Sequence, residues 1–114
     1  MADDLTKKRC IPCEGGFPAL TKEQASDFLP HVPEWKMNDA ATEISREFKF
    51  ADFQEALEFA NRIGELAQEE WHHPDLTVAW GKVGVKLSTH AVKGLSENDF
   101  IMAAKIDILT HGAL

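Results

Sequence analysis

The sequence predicts an α+β domain: one four-stranded antiparallel sheet with three helices packed on one face, in the order α-β-β-α-β-β-α. Three stretches repeat apolar residues at helical spacing, and two pairs of alternating stretches lie between them. Short polar turns join the members of each pair, which is typical of antiparallel hairpins. Two hairpins and three amphipathic helices bury their apolar faces most simply as two packed layers.

Length and composition indicate one ordinary globular domain. The 114 residues are 44% hydrophobic and 27% charged. We expect a single domain over residues 1–114, with 1–20 as an irregular N-terminal extension. The net charge of −7 argues against a nucleic-acid partner, because phosphate contacts need clustered lysine and arginine. The chain has no bilayer-length apolar run and no signal-peptide pattern, so we expect no membrane partner and a cytoplasmic location.

The N-terminal extension carries a C-x-x-C pair, Cys10-Ile11-Pro12-Cys13. A zinc ribbon needs a second such pair, which the sequence lacks. A redox motif normally opens a helix, whereas Gly15 and Gly16 follow here. A structural or incidental role, thiol chemistry and a metal site completed elsewhere therefore stay open for the two thiols.

The first part of the chain predicts a short helix and a hairpin. Thr21 and Gln24 form a capping box at the start of the helix, and Pro30 ends it. Asn38-Asp39 favours a turn between two antiparallel strands. The second strand covers residues 42–50, which alternate and place three residues on one apolar face: Ile44, Phe48 and Phe50.

The longest helix begins after Asp52, which caps it with Glu55 three residues on. Its helical repeat predicts a buried face of seven residues: Phe53, Ala56, Leu57, Ala60, Ile63, Gly64 and Ala67. The helix runs to about Glu70. It delivers His72-His73-Pro74 at its end, where the proline prevents further helix.

A second hairpin and a third helix complete the pattern. Residues 75–80 alternate Leu76, Val78 and Trp80, and Gly81-Lys82 is a short turn. The next strand has four residues on its core face: Val83, Val85, Leu87 and Thr89. His90 therefore points to the other face or lies just past the strand end. Ser96 and Asp99 cap the last helix, whose predicted buried residues are Phe100, Ile101, Ala104 and Ile108.

Four polar residues gather at the ends of these elements: His72, His73, His90 and Asp99. Imidazole exchanges protons near neutral pH, so two histidines at a helix exit and a third at a strand end predict an acid/base pocket. A simpler interpretation is a polar helix end, because imidazolium suits the helix dipole there. A metal site is a further alternative, but adjacent histidines seldom ligate one metal together, and we expect none. The indoles of Trp35 and Trp80 are more often core than ligand platforms.

The motif residues follow one another in a fixed order: His72-His73-Pro74, Trp80, Leu87-Ser88-Thr89-His90, and Gly94-Leu95-Ser96-Glu97-Asn98-Asp99. This order resembles the pterin-4a-carbinolamine dehydratase family. The family pattern is an acid, three residues, His-His-Pro, an aromatic residue, a later histidine and an aspartate. The resemblance covers roughly Trp35 to the C-terminus, and Cys13-Glu14-Gly15-Gly16 is similar to bacterial members.

One position departs from the family pattern. Gln68 stands where the family has its acid, four residues before His72. Glu69 and Glu70 are turned by about 100° and 200° around a helix of 3.6 residues per turn, so neither simply replaces it. Gln68 can still accept and donate hydrogen bonds, but it brings no charge.

The resemblance implies an enzyme that eliminates water from 4a-hydroxytetrahydropterin (4a-hydroxytetrahydrobiopterin) and gives quinonoid dihydropterin, within tetrahydrobiopterin recycling. It implies that His72, His73 and His90 are the acid/base set, with no metal or cofactor. It also implies a homodimer or homotetramer. The expected substrate-binding residues are Pro74, Ser88, Thr89, Ala91, Gln68, Trp35 and Asp99. The alternative is a non-catalytic pterin-binding protein or a transcription-cofactor-like dimerisation module.

Overall fold

The computed structural model describes residues 5–8 and 18–112. Its α-helices are α1 (Lys22–Phe28), α2 (Phe53–Glu70) and α3 (Glu97–Gly112). Its strands are β1 (Lys36–Met37), β2 (Ile44–Lys49), β3 (Asp75–Ala79) and β4 (Lys82–Leu87). Short 3₁₀ helices cover Leu5–Lys7, Leu29–His31 and His90–Val92. The C-x-x-C pair, Cys10 and Cys13, lies outside the described residues.

The four strands form one sheet in the order β1-β2-β4-β3, and every neighbouring pair is antiparallel. α2 connects the two hairpins, and β4 of the second hairpin lies beside β2 of the first. Ser45 and Asp75 both pair with Lys86, so β2 and β3 begin beside the end of β4. The structure confirms the predicted α+β fold and its element order.

Alternation along the strands separates a core face from an outer face. Glu47 and Lys86 are exposed on the outer face, whereas the inner face is buried against the helices. Burying an aliphatic or phenyl side chain contributes roughly 1.5–3 kcal/mol, so this face is the main source of stability. The buried strand residues are Ile44, Phe48, Val83, Val85 and Leu87.

The predicted buried face of α2 is partly wrong. Phe53 and Leu57 are 42% and 43% exposed, whereas Phe59, which the repeat did not single out, is buried. The phenyl ring of Phe59 packs against Phe48 at 4.8 Å and Phe50 at 5.1 Å between centroids, and this aromatic cluster sets the rotation of α2 on the sheet. The buried positions are therefore Ala56, Phe59, Ala60, Ile63, Ala67 and Glu70.

The third helix and the edge strand also differ from prediction. α3 contacts α2, β4 and two of the 3₁₀ helices, so its first half is buried almost all round. Ile108, near the end of α3, is 46% exposed although a buried position was predicted. Leu76 and Trp80 are also exposed, because β3 is an edge strand and Trp80 lies in the turn beyond it.

The predicted helix caps are present, and the turn of the second hairpin lies at Trp80 and Gly81, one residue earlier than predicted. Thr21 and Gln24 form the capping box of α1, and Asp52 accepts a hydrogen bond from the backbone N–H of Glu55. Gly81 closes the second hairpin with φ 68°, and a Cβ there would lie 2.9 Å from the Phe50 carbonyl oxygen. Among the described residues, no helix has the length and apolar character needed to cross a membrane.

A half-buried polar cluster joins α3 to the first hairpin. Asp107 Oδ1 accepts hydrogen bonds from Trp35 Nε1 at 2.8 Å and Arg46 Nη1 at 2.7 Å. The Arg46 guanidinium also lies 4.3 Å from the centre of the Phe48 ring. Burial raises the pKa of Asp107 above its usual range, and this outweighs the lowering by the Trp35 hydrogen bond and the Arg46 charge.

We predict a pH-dependent stability difference between the wild type and Asp107→Asn. Because the pKa of Asp107 is raised on folding, its contribution is present at low pH and is lost as pH rises through the folded pKa. The free energy of unfolding should therefore shift in favour of the wild type, relative to Asp107→Asn, as pH falls from about 7 toward 4. Urea unfolding at several pH values measures this, with exposed Asp27→Asn as the control. A shift in the opposite direction would show that the ion pair with Arg46 dominates.

Candidate functional site

The chain reverses direction at the end of α2. Trp71 caps the helix in the left-handed region, with φ 55° and ψ 43°. The backbone N–H groups of Trp71 and His72 both donate to the Ala67 carbonyl. Pro74 cannot continue a helix, and β3 begins directly after it. The turn therefore places His72 and His73 between α2 and the edge strand.

A buried ion pair fixes this end of α2 against α3. Lys105 Nζ donates to Glu70 Oε2 at 2.7 Å, and the Glu70 side chain is only 5% exposed. Glu70 therefore faces α3, and it does not substitute for the acid that Gln68 replaces. The charge pair also restricts where the turn after α2 emerges, because α2 and α3 are tied within one residue of it.

The second part of the site is the loop after β4. The Thr89 backbone N–H donates to the Gly94 carbonyl at 2.7 Å, and the Gly94 N–H donates back to Thr89. This reciprocal pair closes a compact loop that contains the 3₁₀ helix His90–Val92. A Cβ at Gly94 would lie 2.9 Å from the Ala19 Cβ, so the segment before α1 packs closely on the loop.

Asp99 joins the two parts through a fully buried carboxylate. Its Oδ1 accepts a hydrogen bond from His72 Nε2 at 2.6 Å. Its Oδ2 accepts from Thr89 Oγ1 at 2.8 Å and from the Ser96 backbone N–H at 3.0 Å. Ser96 Oγ in turn lies 2.8 Å from Thr89 Oγ1 and can donate to it. One side chain thus connects the start of α3, the end of β4 and the turn after α2.

This network fixes the tautomer of His72. A carboxylate only accepts hydrogen bonds, so a neutral His72 carries its proton on Nε2 and leaves Nδ1 as the basic nitrogen. The imidazole is largely covered, with 11% of its side chain exposed, and Asp99 is 0% exposed. The bond to a buried carboxylate also holds the imidazole in one orientation, as the aspartate of a hydrolase triad does for its histidine.

His73 has a different, neutral partner. Its Nε2 lies 2.6 Å from Gln68 Oε1, so the amide oxygen accepts the imidazole proton and leaves Nδ1 free. The Trp71 ring contacts His73 in a T-shaped arrangement, with 5.1 Å between centroids. Gln68 and His73 are both exposed, in contrast to the His72–Asp99 pair.

The structure places the other predicted site residues in two groups. Ser88 and Pro74 are half-buried beside the histidine-bearing segments, and His90 and Ala91 are exposed in the 3₁₀ helix after β4. Trp35 is in the core, 3% exposed, with its indole N–H bonded to Asp107. The first group can border a ligand, whereas Trp35 supports the fold from inside.

Sequence reasoning missed three residues that build this site. Glu70 and Lys105 bind one another across α2 and α3, and their sequence separation of 35 left no local signal. Trp71 begins the stretch Trp71-His72-His73-Pro74, but the sequence pattern assigned no role to this residue. Its place between the helix end and a proline does signal a residue with positive φ, since helices often end in that conformation.

Neither of two depressions beside the outer face of the sheet is lined by His72, His73 or His90. One of about 840 Å³ covers the open face of the sheet and is lined mainly by charged residues such as Lys36, Glu47 and Lys82. Its breadth and charge suit solvent more than a small apolar ring. Within residues 5–8 and 18–112, no three histidine, cysteine, aspartate or glutamate side chains converge as metal ligands.

The family model and the similar proteins all indicate the same family. The family model described as pterin 4 alpha carbinolamine dehydratase matches residues 18–109. A protein from Methylococcus capsulatus, whose name refers to the same dehydratase, is 54% identical over 112 residues, 98% of each chain. Another from Halorhodospira halophila is 48% identical over 105 residues, 92% of this chain and 96% of that protein.

Solved structures agree with the sequence relatives. A Brucella melitensis crystal structure, described as a transcriptional coactivator/pterin dehydratase, is similar with a TM-score of 0.75 and 33% identity. The match covers 80% of this chain and 97% of the Brucella melitensis chain. A pterin dehydratase-like protein, identified as a RuBisCO assembly factor in the alpha-carboxysome, shares the fold at TM-score 0.58 and 19% identity. From the family model and these relatives together, the chain belongs to the pterin 4 alpha carbinolamine dehydratase family.

Proposed function

We propose that this protein is a 4a-hydroxytetrahydropterin dehydratase that uses histidine acid/base catalysis. The observation that carries the proposal is the hydrogen bond of His72 to the buried Asp99 carboxylate, with a second, differently supported imidazole beside it. A buried carboxylate bound to an imidazole beside exposed histidines is a typical arrangement for proton transfer. Family membership supplies the substrate class.

The reaction requires two proton transfers and involves no change of oxidation state. The bond between the 4a carbon and its hydroxyl oxygen breaks, and the oxygen takes a proton and leaves as water. The neighbouring ring nitrogen loses its proton, and a carbon–nitrogen double bond forms to give quinonoid dihydropterin. One imidazolium and one neutral imidazole supply both steps, so the chemistry requires neither a redox cofactor nor a Lewis acid.

The two neighbouring histidines suit different steps of this reaction. His72 is held through Nε2 by a carboxylate and presents Nδ1 as its basic nitrogen, so it suits accepting the ring-nitrogen proton. His73 is exposed and is held by the neutral Gln68 amide, and it is the histidine that would give a proton to the leaving hydroxyl. His90 lies exposed at the start of the next loop and completes the set as a third proton carrier at the pocket rim.

The remaining residues would shape the pocket. Ser88 and Ala91 flank His90 and present backbone groups that can bind the polar edge of a pterin, and Pro74 forms part of the opposite wall. Thr89 and Asp99 are buried, so they act by holding the histidines rather than by touching the substrate. In this role the enzyme returns a pterin to a form that a reductase converts to tetrahydropterin, after aromatic amino-acid hydroxylation.

A second candidate is an interaction module without catalysis. The Brucella melitensis relative is described as a coactivator as well as a dehydratase. In this chain Phe53 and Leu57 stand one turn apart on α2 and are both exposed, which suits contact with a partner helix. Turnover of 4a-hydroxytetrahydropterin separates the candidates, because a module without catalysis would not accelerate dehydration.

We predict that His72→Ala, His73→Ala and His90→Ala each lower the dehydration rate by at least about tenfold. His73→Ala and His90→Ala should keep the free energy of unfolding within about 1 kcal/mol, because both side chains are exposed. His72→Ala should cost more, about 1–3 kcal/mol, since it removes a partner of a buried carboxylate. Stopped-flow dehydration and urea unfolding measure both quantities, with exposed His31→Ala as the matched control. Wild-type rates in two or more of the three site variants would contradict the acid/base assignment.

We predict that Gln68→Glu changes the rate at neutral pH by less than about threefold. A glutamate oxygen can make the same bond to His73 Nε2, and its charge should move the pH–rate profile toward higher pH by stabilising imidazolium. Gln68→Ala removes the acceptor and should be the slower variant. The neighbouring Glu69→Gln is the control for a charge change on the same helix. A tenfold or greater gain in Gln68→Glu would show that the family's acid acts mainly through charge and that this chain is a weakened member.

A further inference from the structure

Trp71 is held in a backbone conformation that bulky residues rarely adopt. Its φ of 55° lies in the left-handed region, which costs roughly 1–2 kcal/mol for a residue with a Cβ. Glycine or asparagine normally takes this position after a helix, because they adopt it at little cost. Helix capping alone therefore does not account for a tryptophan there.

The Trp71 side chain gains little from packing. It is 73% exposed, close to the 75% of Trp80 in the β3–β4 turn, whereas Trp35 is buried. A large aromatic ring normally stabilises a fold by removing its surface from water. At Trp71 a strained backbone supports a ring that the fold leaves in solvent, and such strain clusters at ligand-binding positions.

The exposed indole lies directly at the proposed acid/base site. Its ring contacts His73 edge to face, with 5.1 Å between the centroids and 80° between the planes. The adjacent His72 is tied to Asp99, so the segment that carries the indole is anchored on both sides of the turn. The open indole surface thus borders the His73 imidazole at a fixed place.

We propose that Trp71 is a substrate-binding residue that stacks on the flat ring system of the pterin and holds it beside His73. This rests on the proposed function, because the ligand is the substrate named there. An indole is the largest flat side chain, and stacking on a heteroaromatic ring is strong and independent of hydrogen bonds. The left-handed backbone then projects the ring away from α2, toward the ligand and not into the core.

The stacking of Trp71 should affect substrate binding and not the rate of the chemical step. Stacking acts equally on bound substrate and transition state, so its removal raises KM and leaves kcat nearly unchanged. Trp71→Leu and Trp71→Gly should raise KM for the 4a-hydroxytetrahydropterin, and the Kd for 7,8-dihydrobiopterin, by about tenfold. Trp71→Phe keeps a stacking ring and should stay within about threefold. The Kd is measured by calorimetry on the full chain, because a dihydropterin without a 4a hydroxyl cannot turn over.

Trp80→Leu is the matched control. Trp80 is equally exposed, but it lies at the other end of the second hairpin, seven residues after His73, or roughly 23 Å along an extended strand. It should leave KM, Kd and kcat unchanged. Trp71→Gly should melt at or above the wild-type temperature, because it relieves the left-handed strain. That result would show that the fold does not need the indole.

Two outcomes would overturn the proposal: wild-type Kd values in Trp71→Leu and Trp71→Gly, or an equal loss in Trp80→Leu. A loss confined to kcat would also contradict it, since that would mean an effect on the histidines and not on binding. A wild type that binds 7,8-dihydrobiopterin but does not accelerate dehydration of 4a-hydroxytetrahydropterin removes the proposed function, while the Kd series still decides the role of Trp71. A wild type that binds no pterin overturns both.

Discussion

The buried carboxylate of Asp99 is the constraint on which the rest of the site depends. It accepts hydrogen bonds from His72, from the Thr89 hydroxyl and from the Ser96 backbone, and no surface of it reaches solvent. Burying a carboxylate costs free energy unless hydrogen-bond donors surround it. The turn after α2, the end of β4 and the start of α3 are therefore held where their donors reach Asp99. The same bonds that stabilise the charge therefore position an imidazole at the end of a helix.

The fold brings these donors together through its sheet order. β2 and β3 begin beside the end of β4, so the turn after α2 and the loop after β4 lie at the same end of the sheet. α3 begins at this end of the sheet and crosses to α2, where Lys105 binds Glu70 one residue before the turn. Two links between α2 and α3 thus bracket Trp71, and the strain in its backbone is carried by contacts on both sides.

The fold was predictable because each element has a local signal, such as the Asp52 cap or the alternation around Ile44. The sequence could not show which side of α2 is buried, because Phe53 and Leu57 lie on one possible apolar face and Phe59 on a neighbouring one. The contacts of Phe59 with Phe48 and Phe50 determine which face packs on the sheet. The site histidines were predicted from their clustering at element ends. Asp99 was predicted to belong to the same cluster, but its hydrogen bond to His72 was not predicted, because the two residues are 27 positions apart and share no local signal. Trp35 was expected to bind substrate, but its bond to Asp107, 72 residues away, places it in the core.

We propose that Asp99 acts on the reaction through His72, and a double-mutant cycle on the dehydration rate separates this role from a purely structural one. Asp99→Asn should lower kcat by at least about tenfold in the wild-type background, because an asparagine amide can donate to His72 Nε2 and so favour the wrong tautomer. In the His72→Ala background the same substitution should change kcat by less than about twofold, since the group through which it acts is gone. An equal loss in both backgrounds would contradict the account and would mean that Asp99 serves the fold or the substrate independently of His72.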